Sequence, residues 1–376
     1  MNTAATKKVL VIGGGFSGMS AAIDGARRGL DVHLVETDPQ WRSYGAGISL
    51  GGATLRAFSK LGVLDAFLQH GNAADGLDLC SPQGHPIGEL PTPRIAGPDV
   101  PGGGAILRPV LARLMAQATR DAGVQVRLGC SFSALNADAE GVDVQFTDGS
   151  TGRYDVVVGA DGLNSAVRQT LFPDAPRPRY TGQGVWRAVL PRPVEVQRAR
   201  MWMGGAVKPG INPVSREQMY LFVTENRQLN EHIPKDQQPA MLRALLTPFT
   251  APLLQQISAQ IDEQAQVVYR PLESLLLPQP WFKGRVVLIG DAVHATTPHL
   301  ASGACIGIED GLVLAEELAT HNVADALPAF QARRWDRCRM VVENSIRLGE
   351  IEISGGSKEE HAQLMRTSMM ALAQPI

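Results

Sequence analysis

The run Lys8-Val9-Leu10-Val11-Ile12 stops at Gly13-Gly14-Gly15-Phe16-Ser17-Gly18, and this junction constrains the chain more than any other stretch. A continuous aliphatic, β-branched run is the signature of a strand buried on both faces of a parallel sheet. Met19 to Arg28 then reads as a helix stopped by Gly29, and Asp31-Val32-His33-Leu34-Val35-Glu36 reads as the next strand, which completes one β-α-β unit. Gly13, Gly15 and Gly18 stand at the G-x-G-x-x-G positions. Their duties are a tight turn, close approach of a pyrophosphate to backbone, and close packing of helix on strand. The helix N-terminus beyond them offers unpaired N–H groups and a positive dipole end to phosphates, and Phe16 and Ser17 in the loop are expected to contact the cofactor. Glu36 closes the second strand, where a carboxylate accepts ribose hydroxyls and disfavours a 2′-phosphate. FAD and NAD both satisfy this motif.

The rest of the chain fits an ordinary globular protein built around such a unit. Its 376 residues are 44% hydrophobic and 19% charged, with a net charge of -2, so no global field recruits nucleic acid or an anionic membrane. No apolar stretch approaches the length of a membrane span. The N-terminal apolar run is also too short for a signal peptide, so a cytoplasmic location is expected. Cys80, Cys130, Cys305 and Cys338 lack disulfide or zinc spacing and are expected to be buried free thiols, with no metal site. Helical patterns at Gly52 to Lys60 and Pro109 to Asp121 alternate with strand-like runs at Val124 to Leu128, Val142 to Phe146 and Asp155 to Gly159. Residues 77 to 104 are rich in Pro and Gly, which predicts a surface excursion. Short strands follow at Val185 to Leu190 and Gln218 to Thr224, then a helix near Ala240 to Leu246. Arg285 to Ile289 restores buried-strand character ahead of helices at Ala304 to Leu318, Asp325 to Arg347 and Glu359 to Leu372.

The expected architecture is α/β. A Rossmann-like cofactor domain is assembled from residues 1–76, 101–178 and 270–345. A β-rich substrate domain takes 77–100 and 179–269, and 346–376 forms a C-terminal helical segment.

Two further motifs decide between the cofactors. Asp155-Val156-Val157-Val158-Gly159-Ala160-Asp161-Gly162 continues to Arg168, and Gly284-Arg285-Val286-Val287-Leu288-Ile289-Gly290-Asp291-Ala292-Val293-His294 continues through Pro298 to Gly303. With the glycine loop, in this order, they resemble the FAD-dependent aromatic-ring hydroxylases of the para-hydroxybenzoate, salicylate and 6-hydroxynicotinate hydroxylase type, nearly throughout the chain to about Arg347. The resemblance implies tightly bound FAD, NADH or NADPH as a transient co-substrate, and O2. It implies hydroxylation of a small electron-rich aromatic or N-heteroaromatic compound through a flavin C4a-hydroperoxide, by a monomer or a homodimer. It also implies that Asp161 contacts FAD and NAD(P)H, that Asp291 binds the ribityl chain, and that Arg108 contacts FAD. Arg42 matches a position near the adenosine half, or is a solvated surface arginine. Gly303 and Ala304 begin a helix whose N-terminal dipole suits the negative charge of reduced flavin.

Ala301-Ser302-Gly303-Ala304-Cys305 departs from the family's commoner Gly-Gln-Gly-x-Asn, and Gly307 and Gly311 replace larger residues. Thr297-Pro298-His299 is expected over the flavin ring. There the Pro298 carbonyl lines the oxygen-transfer pocket, and His299 orients the substrate, relays its proton, or is a hydrogen-bonded structural residue. Tyr220 faces the substrate or packs in the core. Trp186-Arg187 resembles a recurrent pair of the inserted sheet. No nucleophile or triad is needed, because the protein's task is positioning, water exclusion and deprotonation. An FAD oxidoreductase of the same fold that epoxidises or reduces a non-aromatic substrate is the alternative, and a scaffold that has lost flavin is the non-enzymatic one.

Overall fold

The computed structural model describes residues 6–376, so residues 1–5, where the first cofactor segment and the leader question begin, lie outside the described residues. The aliphatic runs assemble into a six-stranded sheet ordered Phe282–Lys283, Val286–Leu288, Val156–Gly159, Lys8–Ile12, Asp31–Glu36 and Gln125–Leu128. All neighbours are parallel except the edge strand Phe282–Lys283. Leu10, Val11, Val157 and Val287 are fully enclosed, as strands of a parallel sheet must be.

The register decides where function sits. Ile12 pairs with Gly159, and Gly159 pairs with Leu288. The three motif loops therefore leave the same carboxyl edge of three adjacent strands. Strand Lys8–Ile12 has Asp31–Glu36 on one side and Val156–Gly159 on the other, which makes its end the switch point where ligands of such sheets bind.

A second sheet, of seven strands, is ordered Val267–Ser274, Arg179–Pro191, Gln218–Asn226, Val207–Pro213, Ala199–Trp202, Leu77–Cys80 and Pro86–Leu90. Trp186, Ala188, Leu190, Ile211, Leu221 and Val223 form one of its faces and bury against helices Gln238–Leu246 and Pro252–Ala259 as a separate core. The opposite face, with Val189, Tyr220 and Asn212 in one cross-strand row and Arg187, Phe222 and Gly210 in the next, turns toward a separate three-stranded sheet of Gly47–Gly51, Gly103–Leu107 and Asn72–Ala74. Tyr220 touches that body: a Cβ on Gly47 would fall 2.5 Å from its ring.

Several elements outrun their sequence signals. The strand expected at Val185 to Leu190 spans Arg179–Pro191, and the helix expected from Met19 begins at Phe16. The excursion at 77 to 104 contains two strands, Leu77–Cys80 and Pro86–Leu90, added at the edge of the second sheet, with Pro86–Leu90 exposed throughout. Helix Val323–Ser354 runs 32 residues and ends at Gly355, in the left-handed conformation that glycine permits. No helix among the described residues is long and apolar enough to cross a membrane.

Candidate cofactor and substrate site

The glycine loop meets its three duties at three different residues. Gly13 has φ +108, and a Cβ there would lie 2.5 Å from the Ala160 carbonyl oxygen. A Cβ on Gly18 would lie 2.0 Å from the Gly13 oxygen, so only glycine lets helix Phe16–Arg27 start so close to the strand. Gly15 is exposed and its absent Cβ faces open space, the gap a pyrophosphate needs. Glu36 braces the loop: its Oε2 accepts from Gly14 N at 2.8 Å, and its Oε1 accepts from Asp38 N at 2.8 Å and Thr37 Oγ1 at 2.9 Å. Trp41, which carries no motif signal, donates from Nε1 to the Gly14 carbonyl at 2.8 Å. Arg42 is exposed, paired to Asp38 at 3.1 Å and stacked on Tyr44. That is a surface arrangement of low energetic weight.

Asp161 turns into its own loop. Its Oδ1 accepts from Ser165 Oγ at 2.5 Å and its Oδ2 from Val167 N at 3.0 Å. The carboxylate thus closes the second motif instead of standing free. Buried Arg168 couples this motif to the third, donating 2.8 Å bonds to the carbonyls of Ala292 and Leu163.

Asp291 behaves differently. It heads the short helix Asp291–His294, and its side chain accepts no hydrogen bond among the described residues. It is open to solvent, yet protein surrounds it so closely that burial raises its carboxyl pKa against the opposing pull of His294 and Arg108. Arg108 shares this double character: solvent reaches it, while burial lowers its pKa and Asp291 opposes the shift. Accessible groups deep inside protein mass define a slot. The Arg108 guanidinium lies over the Phe16 ring, 5.3 Å from its centroid, and donates to no protein acceptor among the described residues. A free carboxylate, a free guanidinium and the gap at Gly15 together fit a dinucleotide cofactor. At the end of the slot, half-exposed Gly303 and Ala304 begin the 18-residue helix Gly303–Thr320.

The unusual glycines of this helix are explained by what crosses it. A Cβ on Gly307 would fall 2.3 Å from Ser17 Oγ, the same distance as one on Gly290, and Ser20 Oγ donates to the Ile308 carbonyl at 2.7 Å. The floor below is a charged cluster that sequence reading missed. Asp310 accepts from Gly290 N at 2.9 Å, His294 Nε2 at 2.5 Å and Arg334 Nε at 2.8 Å. Burial alone would raise the Asp310 pKa, but His294 and Arg334 outweigh it and hold the carboxyl at about 2. His294 is thus structural. Cys305 is buried with its thiol toward Glu309, and burial pushes its pKa up. All four cysteines are free and buried.

Above the slot, Thr297-Pro298-His299 enters a 3-10 turn, Pro298–Leu300. Pro298 is exposed and its carbonyl accepts from Ala301 N at 2.9 Å. Ala301 holds φ +48, uncommon for a residue with a Cβ. Both His299 ring nitrogens are engaged: Nδ1 with Thr297 Oγ1 at 2.8 Å and Nε2 with Glu352 Oε2 at 3.2 Å. No free ring nitrogen remains for a substrate. From the facing sheet, Arg187 Nε donates to Tyr220 Oη at 2.9 Å, and Tyr220 and Phe222 lie 5.5 Å apart. Tyr220 is therefore a buried wall residue with a polar edge.

Comparison with known proteins agrees with this geometry. Residues 6–345 match the family described as FAD binding domain. The 2-heptyl-3-hydroxy-4(1H)-quinolone synthase of Pseudomonas aeruginosa is 30% identical over 348 residues, 91% of this chain and 89% of the relative. The 6-hydroxynicotinate 3-monooxygenase of Pseudomonas fluorescens is 29% identical over 357 residues, 89% of each. The crystal structure of HpxO from Klebsiella pneumoniae with FAD and uric acid superposes with a TM-score of 0.82 at 26% identity, covering 98% of this chain and 93% of that one. The chain belongs to the FAD binding domain family, and within it to the FAD-dependent monooxygenases that hydroxylate aromatic and heteroaromatic rings.

Proposed function

We propose that this enzyme uses NADH or NADPH and O2 to hydroxylate a small N-heteroaromatic or aromatic compound bearing an ionisable ring oxygen or a carboxylate. One observation carries the reading. Arg187 is half-buried on the slot-facing side of the second sheet, and beyond its bond to Tyr220 its guanidinium has no protein acceptor among the described residues. Its charge helps lower the Arg108 pKa, which Asp291 opposes, so the two guanidiniums lie near each other and near the Asp291 carboxylate. That excess of positive charge suits an anionic ring, whose electron density the reaction requires.

Bound FAD supplies the electrons taken from the nicotinamide and the point at which O2 is activated. The chain's own residues do the remainder. Asp291, the glycine loop and the first turn of helix Gly303–Thr320 hold the cofactor. Tyr220 accepts from Arg187, which leaves its own hydroxyl proton to donate to a substrate oxygen. Phe222 supplies an apolar wall against the ring, and the turn at Pro298–Leu300 excludes water from above. The relatives named for quinolone and hydroxynicotinate chemistry support a nitrogen heterocycle as the ring.

The test is a panel of phenols, aminobenzoates and hydroxypyridines, with and without a carboxylate. Each is scored for stimulated NAD(P)H consumption and for a product heavier by one oxygen. Preference for anionic heterocycles is expected. Stimulation by neutral, non-aromatic compounds alone overturns the reading.

A further inference from the structure

Glu352 lies near the end of helix Val323–Ser354, far in sequence from every motif, and its side chain is only 8% exposed. Its carboxylate gathers partners from four separate elements. His299 Nε2 comes from the turn over the slot at 3.2 Å, and His361 Nε2 from helix Lys358–Ala373 at 3.0 Å. Gln183 Nε2 comes from strand Arg179–Pro191 at 3.2 Å, and the Lys208 ammonium from strand Val207–Pro213. Helix and partners are held close by design of the chain: a Cβ on Gly349 would fall 2.9 Å from Gln183 Oε1 and 3.1 Å from His299 Cε1.

We propose that Glu352 is a positioning residue for the reaction, setting the tautomer of His299 and thereby fixing the Thr297–Leu300 turn over the cofactor slot. This rests on the reading of that turn as the roof of the flavin site. An ionised carboxylate only accepts, so each of its neighbours must donate. His299 then carries its proton on Nε2. Its Nδ1 is bare and accepts from the Thr297 hydroxyl, which immediately precedes Pro298. The orientation is inherited along the chain: Lys208 and His361 hold the carboxylate, the carboxylate holds the imidazole, and the imidazole holds the hydroxyl. A neutral ring whose tautomer is set by the partner of its other nitrogen is the general behaviour of oriented histidines. A buried carboxylate is costly unless fully paired, so losing its charge disturbs every partner at once.

In Glu352→Gln the amide oxygen is claimed by Lys208, which has only donors, and the amide NH2 then faces the imidazole. His299 must present a bare Nε2 and move its proton to Nδ1, and the Thr297 hydroxyl loses its acceptor. The experiment is 15N-histidine NMR on the FAD-loaded protein, assigned with His299→Asn, together with visible circular dichroism of the bound FAD. The expected result is an Nε2–H ring for wild type, an Nδ1–H ring for Glu352→Gln, and an altered flavin dichroism band in that variant. His361→Gln, which keeps a donor to the carboxylate, should retain the wild-type tautomer. An Nδ1–H or doubly protonated His299 in wild type overturns the proposal without any variant. So does an unchanged tautomer or an unchanged flavin band in Glu352→Gln. Failure of wild type to take up FAD would instead count against the function proposed above, since the tautomer is read from the ring itself.

Discussion

A Cβ on Gly311 would lie 2.4 Å from the backbone nitrogen of Ala21, closer than any real contact allows. Helix Gly303–Thr320 and helix Phe16–Arg27 therefore touch backbone to backbone, and the third motif's helix is fixed against the first motif's. Gly311→Ala should force the two apart. The expected loss is about 1–3 kcal/mol of stability, typical of overpacking, with weaker FAD retention. Thermal denaturation and the flavin-to-protein absorbance ratio measure both.

Asp291 is the slot's unspent carboxylate, and this sets its predicted phenotype. Asp291→Ala should fold normally, because the side chain holds no protein donor among the described residues. It should bind FAD at least about tenfold more weakly, the scale of one charged hydrogen bond. Fluorescence titration of the apoprotein with FAD reads this directly. Unchanged affinity and turnover would remove Asp291 from the cofactor site.

On the proposed function, Arg187 separates substrate binding from cofactor binding. Arg187→Gln should raise KM for a carboxylated or ionised ring by about tenfold or more, the weight of a charge-assisted contact. FAD content should stay at the wild-type level. Steady-state NAD(P)H oxidation with paired charged and neutral ring compounds distinguishes the two, and an equal effect on both kinds would deny Arg187 its role.

Acid stability follows from two buried carboxylates. Asp310 is held at about 2. Burial would raise Glu352, but the bonds from His299 and His361 and the charge of Lys208 overcome it and carry its pKa far down. A depressed folded pKa gives stability that is complete above the unfolded value of about 4 and lost as pH falls through and below it. The thermal midpoint should therefore drop as pH goes from about 5 toward 3. Glu352→Gln should start lower and fall less steeply. An identical slope in the variant would show that Glu352 carries none of the acid sensitivity.

Much of this was legible in the sequence because it depends on local pattern. The aliphatic runs at Val9, Val156 and Val286 each end in a glycine or aspartate loop, and parallel strands of one sheet must bring such ends together. The role of Gly307 and Gly311 was not legible, since a missing Cβ is informative only once the crossing helix is known. Asp310 left a faint signal, one of two adjacent acids between the apolar residues Ile306 to Leu314, whose partner Arg334 lies on the following helix. Glu352 left none: its four partners come from residues 183, 208, 299 and 361, and no periodicity connects them. For His299 the sequence left catalytic and structural roles both open, and only the bonds at both of its nitrogens separate them.

The most direct measurement is the fate of molecular oxygen. FAD-loaded enzyme is given NAD(P)H, a hydroxypyridine carboxylate and 18O2, and the product is weighed by mass spectrometry. One 18O atom on the ring for each nicotinamide oxidised is the predicted result. Nicotinamide oxidation that leaves every ring compound free of label would contradict an aromatic monooxygenase, however well the slot holds its flavin.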